Sequence, residues 1–150
     1  MDLSVEAECF GAEIRVSEDE VPTVVGSVVS TEEEAEALEI PPIGSGRTGI
    51  YIDAIRQAVK EITDRPVFGG VIGPYSLAGR LMDVTEIMIL CYEEPDMVHA
   101  VLKKVTRFLT DYCLAYKEAG ANGVIMAEPL AGILSPALEE EFSEPMFVNL

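Results

Sequence analysis

The chain has 150 residues, nearly half of them apolar, which suits one domain with a proper core and argues against a disordered protein. Its 27 acidic and 10 basic residues give a formal net charge of −17, and such a surface repels nucleic-acid phosphates and anionic lipids. No apolar run approaches the ~20 residues of a membrane span. We therefore expect neither nucleic-acid nor membrane binding.

The cysteines and the N-terminus indicate the compartment. Cys9, Cys91 and Cys113 are odd in number, widely spaced and without a CxxC pair, which argues against a disulfide framework. No signal-peptide pattern is visible, because Met1 is followed at once by Asp2. We expect a cytoplasmic protein.

The spacing of apolar residues changes twice within the first 40 residues. Residues 2–11 have the apolar spacing of a short helix that ends at Gly11, and the alternation over residues 12–30 predicts a β-hairpin. Thr31 and Glu34 then have the spacing of a capping box, so a short helix should run to about Leu38.

A glycine-rich loop follows at residues 41–49 and contains the letters GxGxxG. Two prolines stand where a nucleotide-binding fingerprint needs a strand, so the spelling is weak evidence for such a site. Arg47 lies in this loop and has two interpretations, a group that holds an anion or one half of a salt bridge. Apolar positions from Tyr51 to Ile62 then predict an amphipathic helix.

Residues 67–72 are a short apolar run between breakers, which is typical of a strand buried on both faces. Gly73 and Pro74 stop this strand, and Gly73 lets another group approach the backbone closely. Ser76 is the expected cap of a helix that begins at Leu77.

Three helices are predicted next, over residues 77–82, 84–94 and 96–119, and they lead into a second buried strand at residues 123–127. Glu128 stands directly after that strand. Ser135 and Pro136 should begin a further helix, and Pro145 reads as a breaker.

Strands separated by helices predict an α/β protein with a parallel sheet. Only two βα units and a hairpin can be counted, whereas a (β/α)₈ barrel takes roughly 250 residues. From these patterns alone, the chain is either a small open sheet or part of a barrel.

Four ordered pieces of the sequence resemble the uroporphyrinogen decarboxylase superfamily, and within it the corrinoid-dependent methyltransferases (methylcobalamin:coenzyme M methyltransferase and relatives). These pieces span nearly the whole chain, and the Val-Glu-Ala-Glu run favours the methyltransferase branch. They are DLSVEAECFG (residues 2–11), the Gly46-Arg47 to Asp53 loop and helix, VIGPYSLA (71–78), and GANGVIMAEP with ILSP (120–136).

The resemblance implies that residues 1–150 are one partial domain, roughly the N-terminal half of a TIM-type (β/α)₈ barrel with a β-hairpin insertion. It also implies zinc and a corrinoid (methylcobalamin) for the full-length family. The family's His-x-Cys pair and later Cys, which bind the zinc, have no counterpart here, so we expect no metal site. His99 has Val101 at the +2 position and reads as an ordinary helix residue.

The resemblance also suggests site residues. Asp2 matches the decarboxylase's essential aspartate, which holds pyrrole nitrogens, and Glu128 matches the acid at the end of a barrel strand. An acid at that end of a strand faces the active site of a barrel, although a turn or capping role is equally open. Candidates for substrate binding complete the set: Arg47, Gly73, Pro74, Tyr75 and Arg80.

Three functions remain open at this stage. Arg80 and Pro129 stand where the decarboxylases carry a tyrosine and a serine, which places methyl transfer from a corrinoid protein to a small thiol such as coenzyme M first. The second is a decarboxylase-like lyase. The third is an inactive fragment that needs a complementary half-barrel or forms a homo-oligomer, because a half-barrel leaves strand edges and apolar faces uncovered.

Overall fold

A computed structural model describes residues 2–148. The first helix, α1 (Val5–Cys9), ends where Gly11 adopts a φ of 92°, a left-handed conformation that favours glycine. Strands β1 (Glu13–Arg15) and β2 (Thr23–Val25) then pair antiparallel, with Ile14 opposite Val24. The predicted antiparallel pair is therefore present, whereas its description as an insertion into a barrel stays a prediction.

The capping box of the next helix is confirmed. Helix α2 (Glu32–Ala37) begins after Thr31, whose hydroxyl accepts a hydrogen bond from the Glu34 N–H at 3.2 Å. The Glu34 carboxylate accepts the Thr31 N–H in return, also at 3.2 Å, so two of the free donors at the helix start are satisfied. The amphipathic helix predicted after the glycine-rich loop is α3 (Thr48–Glu61).

The two predicted buried strands form a parallel pair. Strand β3 (Phe68–Ile72) pairs with β4 (Gly123–Ala127), with Gly70 opposite Ile125. Three helices connect the strands, namely α4 (Pro74–Met82), α5 (Val84–Glu93) and α6 (Pro95–Glu118).

Helix α6 covers one face of this sheet. A Cβ atom at Gly69 would lie 2.7 Å from the Tyr116 ring, so the helix can pack this closely only because residue 69 is glycine. Most of the side chains that α6 buries recur every three or four residues, as the sequence predicts: Val98, Val101, Leu102, Val105, Phe108, Leu109, Tyr112 and Tyr116. The prediction that residues 67–72 are buried on both faces is wrong, because an apolar run by itself does not show what covers each face. On the other face of the sheet, Phe68 and Ile125 are 47% and 58% exposed.

The start of α4 differs from the prediction. The helix begins at Pro74 rather than Leu77, and Ser76 is not its cap but lies within the first turn. Proline is favoured at the first helical position because its missing N–H would have no partner there. The side chain that caps this helix comes from the end of β4, as described below.

Proline 145 does not break the chain's last helical segment. After a 3₁₀ turn (Ala131–Ile133), α7 (Pro136–Leu138) starts at the Ser135 cap and continues through a π-helical turn (Glu139–Ser143) into α8 (Glu144–Val148). Pro145 is the second residue of α8, where the preceding π-helical turn has already widened the hydrogen-bond pattern. Within residues 2–148, none of the helices combines the length and the apolar character that a membrane span requires.

Candidate functional site

A cavity of about 410 Å³ brings together two of the predicted site residues, Asp2 and Arg80. Asp2 precedes α1, and Arg80 lies in the last turn of α4. The remaining walls come from the β1–β2 connection and from α3, and the lining is Asp2, Leu3, Val21, Pro22, Tyr51 and Arg80. A carboxylate, a guanidinium and a phenol therefore line one small cavity.

Asp2 is held in its ionised form. Its carboxylate accepts the Ser4 N–H at 2.9 Å and the Ser4 hydroxyl at 2.7 Å, and it also pairs with the Arg47 guanidinium. Burial acts to raise the pKa of Asp2, but these hydrogen bonds and the positive charge outweigh it and hold the pKa below its ordinary value. Asp2 can therefore accept a hydrogen bond from a ligand at neutral pH.

Arg47 is fully engaged with the N-terminal segment. Besides the pair with Asp2, its Nε lies 2.6 Å from the Glu8 carboxylate and its Nη2 donates to the Ser4 hydroxyl at 2.8 Å. The guanidinium thus ties α1 to the start of α3. Of the two interpretations open from the sequence, this geometry is that of the salt bridge.

Arg80 differs from Arg47 in its surroundings. Its side chain borders the cavity, and among residues 2–148 it has neither a hydrogen-bond partner nor an ion-pair partner. A guanidinium with free donors in a cavity is suited to a carboxylate, sulfonate or phosphate group.

Glu128 lies at the end of β4 but is turned toward α4. Its two carboxylate oxygens accept the backbone N–H groups of Tyr75 and Ser76 at 2.9 and 2.7 Å, so it caps that helix from 52 residues away or more. Burial raises the pKa of Glu128, although the hydrogen bonds oppose the rise. A Cβ atom at Gly73 would lie 2.8 Å from the Glu128 Cβ, so the close approach predicted for Gly73 serves this carboxylate.

Tyr75 and Pro74 belong to the same helix start. The Tyr75 side chain is buried, and its hydroxyl lies 3.5 Å from the Cys91 thiol of α5. Pro74 is the first residue of α4. The structure therefore groups Gly73, Pro74, Tyr75 and Glu128 at one helix N-terminus, and none of these four lines the cavity that holds Asp2 and Arg80.

Glu6 is a residue that the sequence analysis missed. It is only 2% exposed, one carboxylate oxygen accepts the Ile72 N–H at 3.1 Å, and the other has no partner within residues 2–148. Burial raises the pKa of Glu6 to about 7. The sequence did carry a signal of this burial. Glu6 is four residues before the apolar Phe10, and this spacing places both side chains on the same face of a helix.

The described residues do not fit the zinc site that the family implies. Within residues 2–148, no three His, Cys, Asp or Glu side chains come together in a way that could hold a metal ion. His99 stacks on Phe142 with ring centroids 4.6 Å apart, and its Nε2 lies 3.6 Å from the Glu141 carboxylate.

Comparisons of this chain with known proteins point to one family. Residues 1–150 match the family described as uroporphyrinogen decarboxylase (URO-D). A uroporphyrinogen decarboxylase of Coxiella burnetii is 26% identical over 95% of this chain and 41% of its own length. The methylcobamide:CoM methyltransferase MtbA of Methanosarcina acetivorans is 31% identical over 87% of this chain and 39% of its own length.

A solved structure shares the fold. A methyltransferase from Methanosarcina mazei superposes with a TM-score of 0.87 at 27% identity, covering 96% of this chain and 44% of that protein. The chain thus spans less than half the length of the relatives it matches. Because the family match extends over all 150 residues, the chain belongs to the uroporphyrinogen decarboxylase family.

Proposed function

We propose that this chain is roughly the N-terminal half of a (β/α)₈ barrel that transfers a methyl group from a methylated corrinoid to a small thiol such as coenzyme M. The observation that carries the proposal is the free guanidinium of Arg80, which shares a cavity with the ionised Asp2. The similarity to a methylcobamide:CoM methyltransferase and to a methyltransferase structure supports this branch of the family.

Arg80 is the group that we assign to the acidic end of the thiol substrate. A guanidinium without a carboxylate partner can form two parallel hydrogen bonds to a sulfonate or carboxylate. Burial raises the pKa of Tyr51, so its phenol stays protonated and can donate a further hydrogen bond in the same cavity.

Arg47 has a different role in this proposal. It orients the Asp2 carboxylate and neutralises part of the negative charge that would otherwise repel an anionic substrate. Glu128 and Gly73 fix the strand ends against α4, and so position the helix that carries Arg80. Both are positioning residues, because neither borders the cavity.

The zinc and the corrinoid of the family would have to be supplied from outside the described residues. Residues 2–148 offer no ligand set for zinc, and we propose that the corrinoid arrives on a partner protein. The half-exposed Phe68 and Ile125 on the open face of the sheet are suited to contact with further barrel strands, from a complementary half or from a second copy.

The test is methyl transfer from methylcobalamin to coenzyme M, which is monitored through the loss of methylcobalamin absorbance. The purified chain is assayed alone and after mixing with the C-terminal half of a full-length relative such as MtbA. We expect turnover in the mixture only, and we expect Arg80→Met to raise the KM for coenzyme M about tenfold, the value of one lost charge-assisted hydrogen bond.

Arg65→Met is the matched control, because Arg65 is exposed and its sole partner in the described part of the chain is its neighbour Asp64. Equal kinetic constants for the Arg80 and Arg65 variants would show that Arg80 does not bind the substrate. No turnover in any mixture would reject methyl transfer for this chain.

A decarboxylase-like activity is the second candidate, because several relatives are uroporphyrinogen decarboxylases and Asp2 faces a cavity. Uroporphyrinogen added to the same mixtures should release CO₂ under this alternative and should not under methyl transfer. An absence of both activities, with the chain folded, leaves the inactive-fragment hypothesis.

A further inference from the structure

A second and larger cavity, of about 880 Å³, lies between α2, α6 and α8. It shares no lining residue with the cavity that holds Asp2 and Arg80. Its volume is in the range that accommodates small organic ligands. Apolar side chains from three parts of the chain, Ile40, Ala100 and Met146, form part of its walls.

Basic side chains of α6 border this cavity. Lys103, Lys104 and Arg107 are three of the chain's ten lysines and arginines, in a protein whose net charge is −17. Lys104 is engaged, because its Nζ donates to the carbonyl oxygens of Ala35 and Glu36 at 2.8 and 2.6 Å and so holds the end of α2 against α6. Lys103 has no hydrogen-bond or ion-pair partner within residues 2–148.

Arg107 retains donors for a ligand. Its Nε lies 3.1 Å from the Asp111 carboxylate, and the Arg107 side chain is 67% exposed, so this pair contributes little to stability. Its two terminal amino groups have no partner among the residues that the structure describes. Lys103 and Arg107 are four residues apart, which places them on the same face of the helix.

A polar group without a partner also borders the cavity. Thr106 is 6% exposed, and its hydroxyl has no hydrogen-bond partner in the described part of the chain. A buried hydroxyl without a hydrogen-bond partner is unfavourable, so a ligand that pairs with it gains affinity. Rotation about χ1 exchanges the hydroxyl and methyl positions of threonine, which allows the hydroxyl to turn to a ligand.

The charges around the cavity favour an anion. Among residues 2–148, the lining contains one carboxylate, Glu36, against the three cations of α6. His99 also borders it, but its ring stacks on Phe142 and its Nε2 lies 3.6 Å from the Glu141 carboxylate. Lys103 and Arg107 at the rim would therefore repel a cation, whereas both would attract an anion.

We propose that this cavity binds a small amphipathic anion, an apolar chain or ring with one terminal carboxylate. The apolar body lies against Ile40, Ala100 and Met146, and the carboxylate pairs with Lys103 and Arg107. The Thr106 hydroxyl gives a further hydrogen bond to the ligand. This site is independent of the methyl-transfer proposal, because it uses none of the same residues.

The test uses octanoate as the probe and octanol as its uncharged counterpart, each titrated calorimetrically into the purified chain. We expect octanoate to bind about tenfold more tightly than octanol, since an ion-paired carboxylate adds charge-assisted hydrogen bonds. Equal affinities, or no measurable binding of octanoate at millimolar concentration, would overturn the proposal.

Variants locate the binding. Lys103→Gln with Arg107→Gln should weaken octanoate binding about tenfold and leave octanol unchanged, whereas Lys60→Gln, at an exposed lysine of α3, should change neither. Ala100→Leu, which fills the cavity, should weaken both probes. Circular dichroism verifies that each variant is folded. Undiminished octanoate binding in the Lys103/Arg107 double variant or in Ala100→Leu would place the probe elsewhere, for example on the open sheet face, and would refute the site.

Discussion

The buried carboxyl of Glu6 should make the stability of this chain depend on pH in an unusual direction. Its pKa is raised from the ordinary 4.5 to about 7, chiefly because burial disfavours the charged form. Asp2 contributes to the rise, whereas the Ile72 N–H and the Arg47 charge oppose it. Between about pH 4.5 and 7, the folded chain therefore holds a proton on Glu6 that the unfolded chain has released.

The sign and size of the effect follow from this difference. Between pH 4.5 and 7 the unfolded state binds fewer protons than the folded state, so stability falls as the pH rises. A pKa change from 4.5 to about 7 corresponds to roughly 3 kcal/mol, present in full below pH 4.5 and lost by about pH 7. Asp2 acts in the opposite direction and at lower pH, because its pKa is lowered and its contribution is lost as the pH falls below 3.8.

Glu6→Gln isolates the contribution of Glu6. The amide oxygen can still accept the Ile72 N–H, and the amide group mimics the protonated acid but does not ionise. We expect the free energy of unfolding of the variant, relative to the original chain, to increase by roughly 2.5 kcal/mol between pH 5 and pH 8. Urea unfolding followed by far-UV circular dichroism suits this chain, which has no tryptophan.

Glu20→Gln is the control, since Glu20 is an exposed carboxyl in the β1–β2 connection. It should leave the pH profile unchanged. If the difference between Glu6→Gln and the original chain is the same at pH 5 and pH 8, the Glu6 carboxyl does not have a raised pKa in the folded chain.

Two further predictions concern Glu128, which caps α4, and Arg47, which connects α1 to the start of α3. Glu128→Gln should lower the free energy of unfolding by about 2 kcal/mol, because the amide has one acceptor oxygen for the two N–H groups of Tyr75 and Ser76; an unchanged urea midpoint would contradict the capping role. Arg47→Met should lower stability by only about 1 kcal/mol, since the Arg47 side chain is 28% exposed, but should raise the pKa of Asp2 toward its ordinary value. An NMR titration of the Asp2 carboxyl measures that rise, and an unmoved pKa would show that Ser4 alone lowers it.

The features that the sequence predicted correctly are those whose causes lie close together along the chain. The capping box spans only the four residues from Thr31 to Glu34, and the apolar stripe of α6 repeats every three to four residues. The positions of the two strands were recognisable from short apolar runs between breakers, but their predicted burial was wrong for one face, where Phe68 and Ile125 are exposed. Their parallel pairing followed from the intervening helices, without any knowledge of distant contacts.

The incorrect and missed features have distant causes. Ser76 had the right residue type for a cap, but Glu128, at the end of the other strand, holds the N–H groups at the start of α4. Glu6 read as one more acid in an acidic chain, and only the contact with Ile72 shows that the fold buries it. Partners 52 to 66 residues apart leave no trace in local periodicity.

The two arginines of the predicted site illustrate why residue type alone could not assign roles. In a chain with 27 acids and 10 bases, most arginines should find carboxylate partners, and Arg47 has found both Asp2 and Glu8. Its donors are used within the protein, so binding an anion there would mean breaking charge-assisted hydrogen bonds. Arg80 has no such partner within residues 2–148 although acids outnumber bases nearly three to one. A guanidinium that remains free under that excess, in a cavity beside an ionised Asp2, has its donors available to a ligand, and this makes Arg80 rather than Arg47 the residue to mutate first.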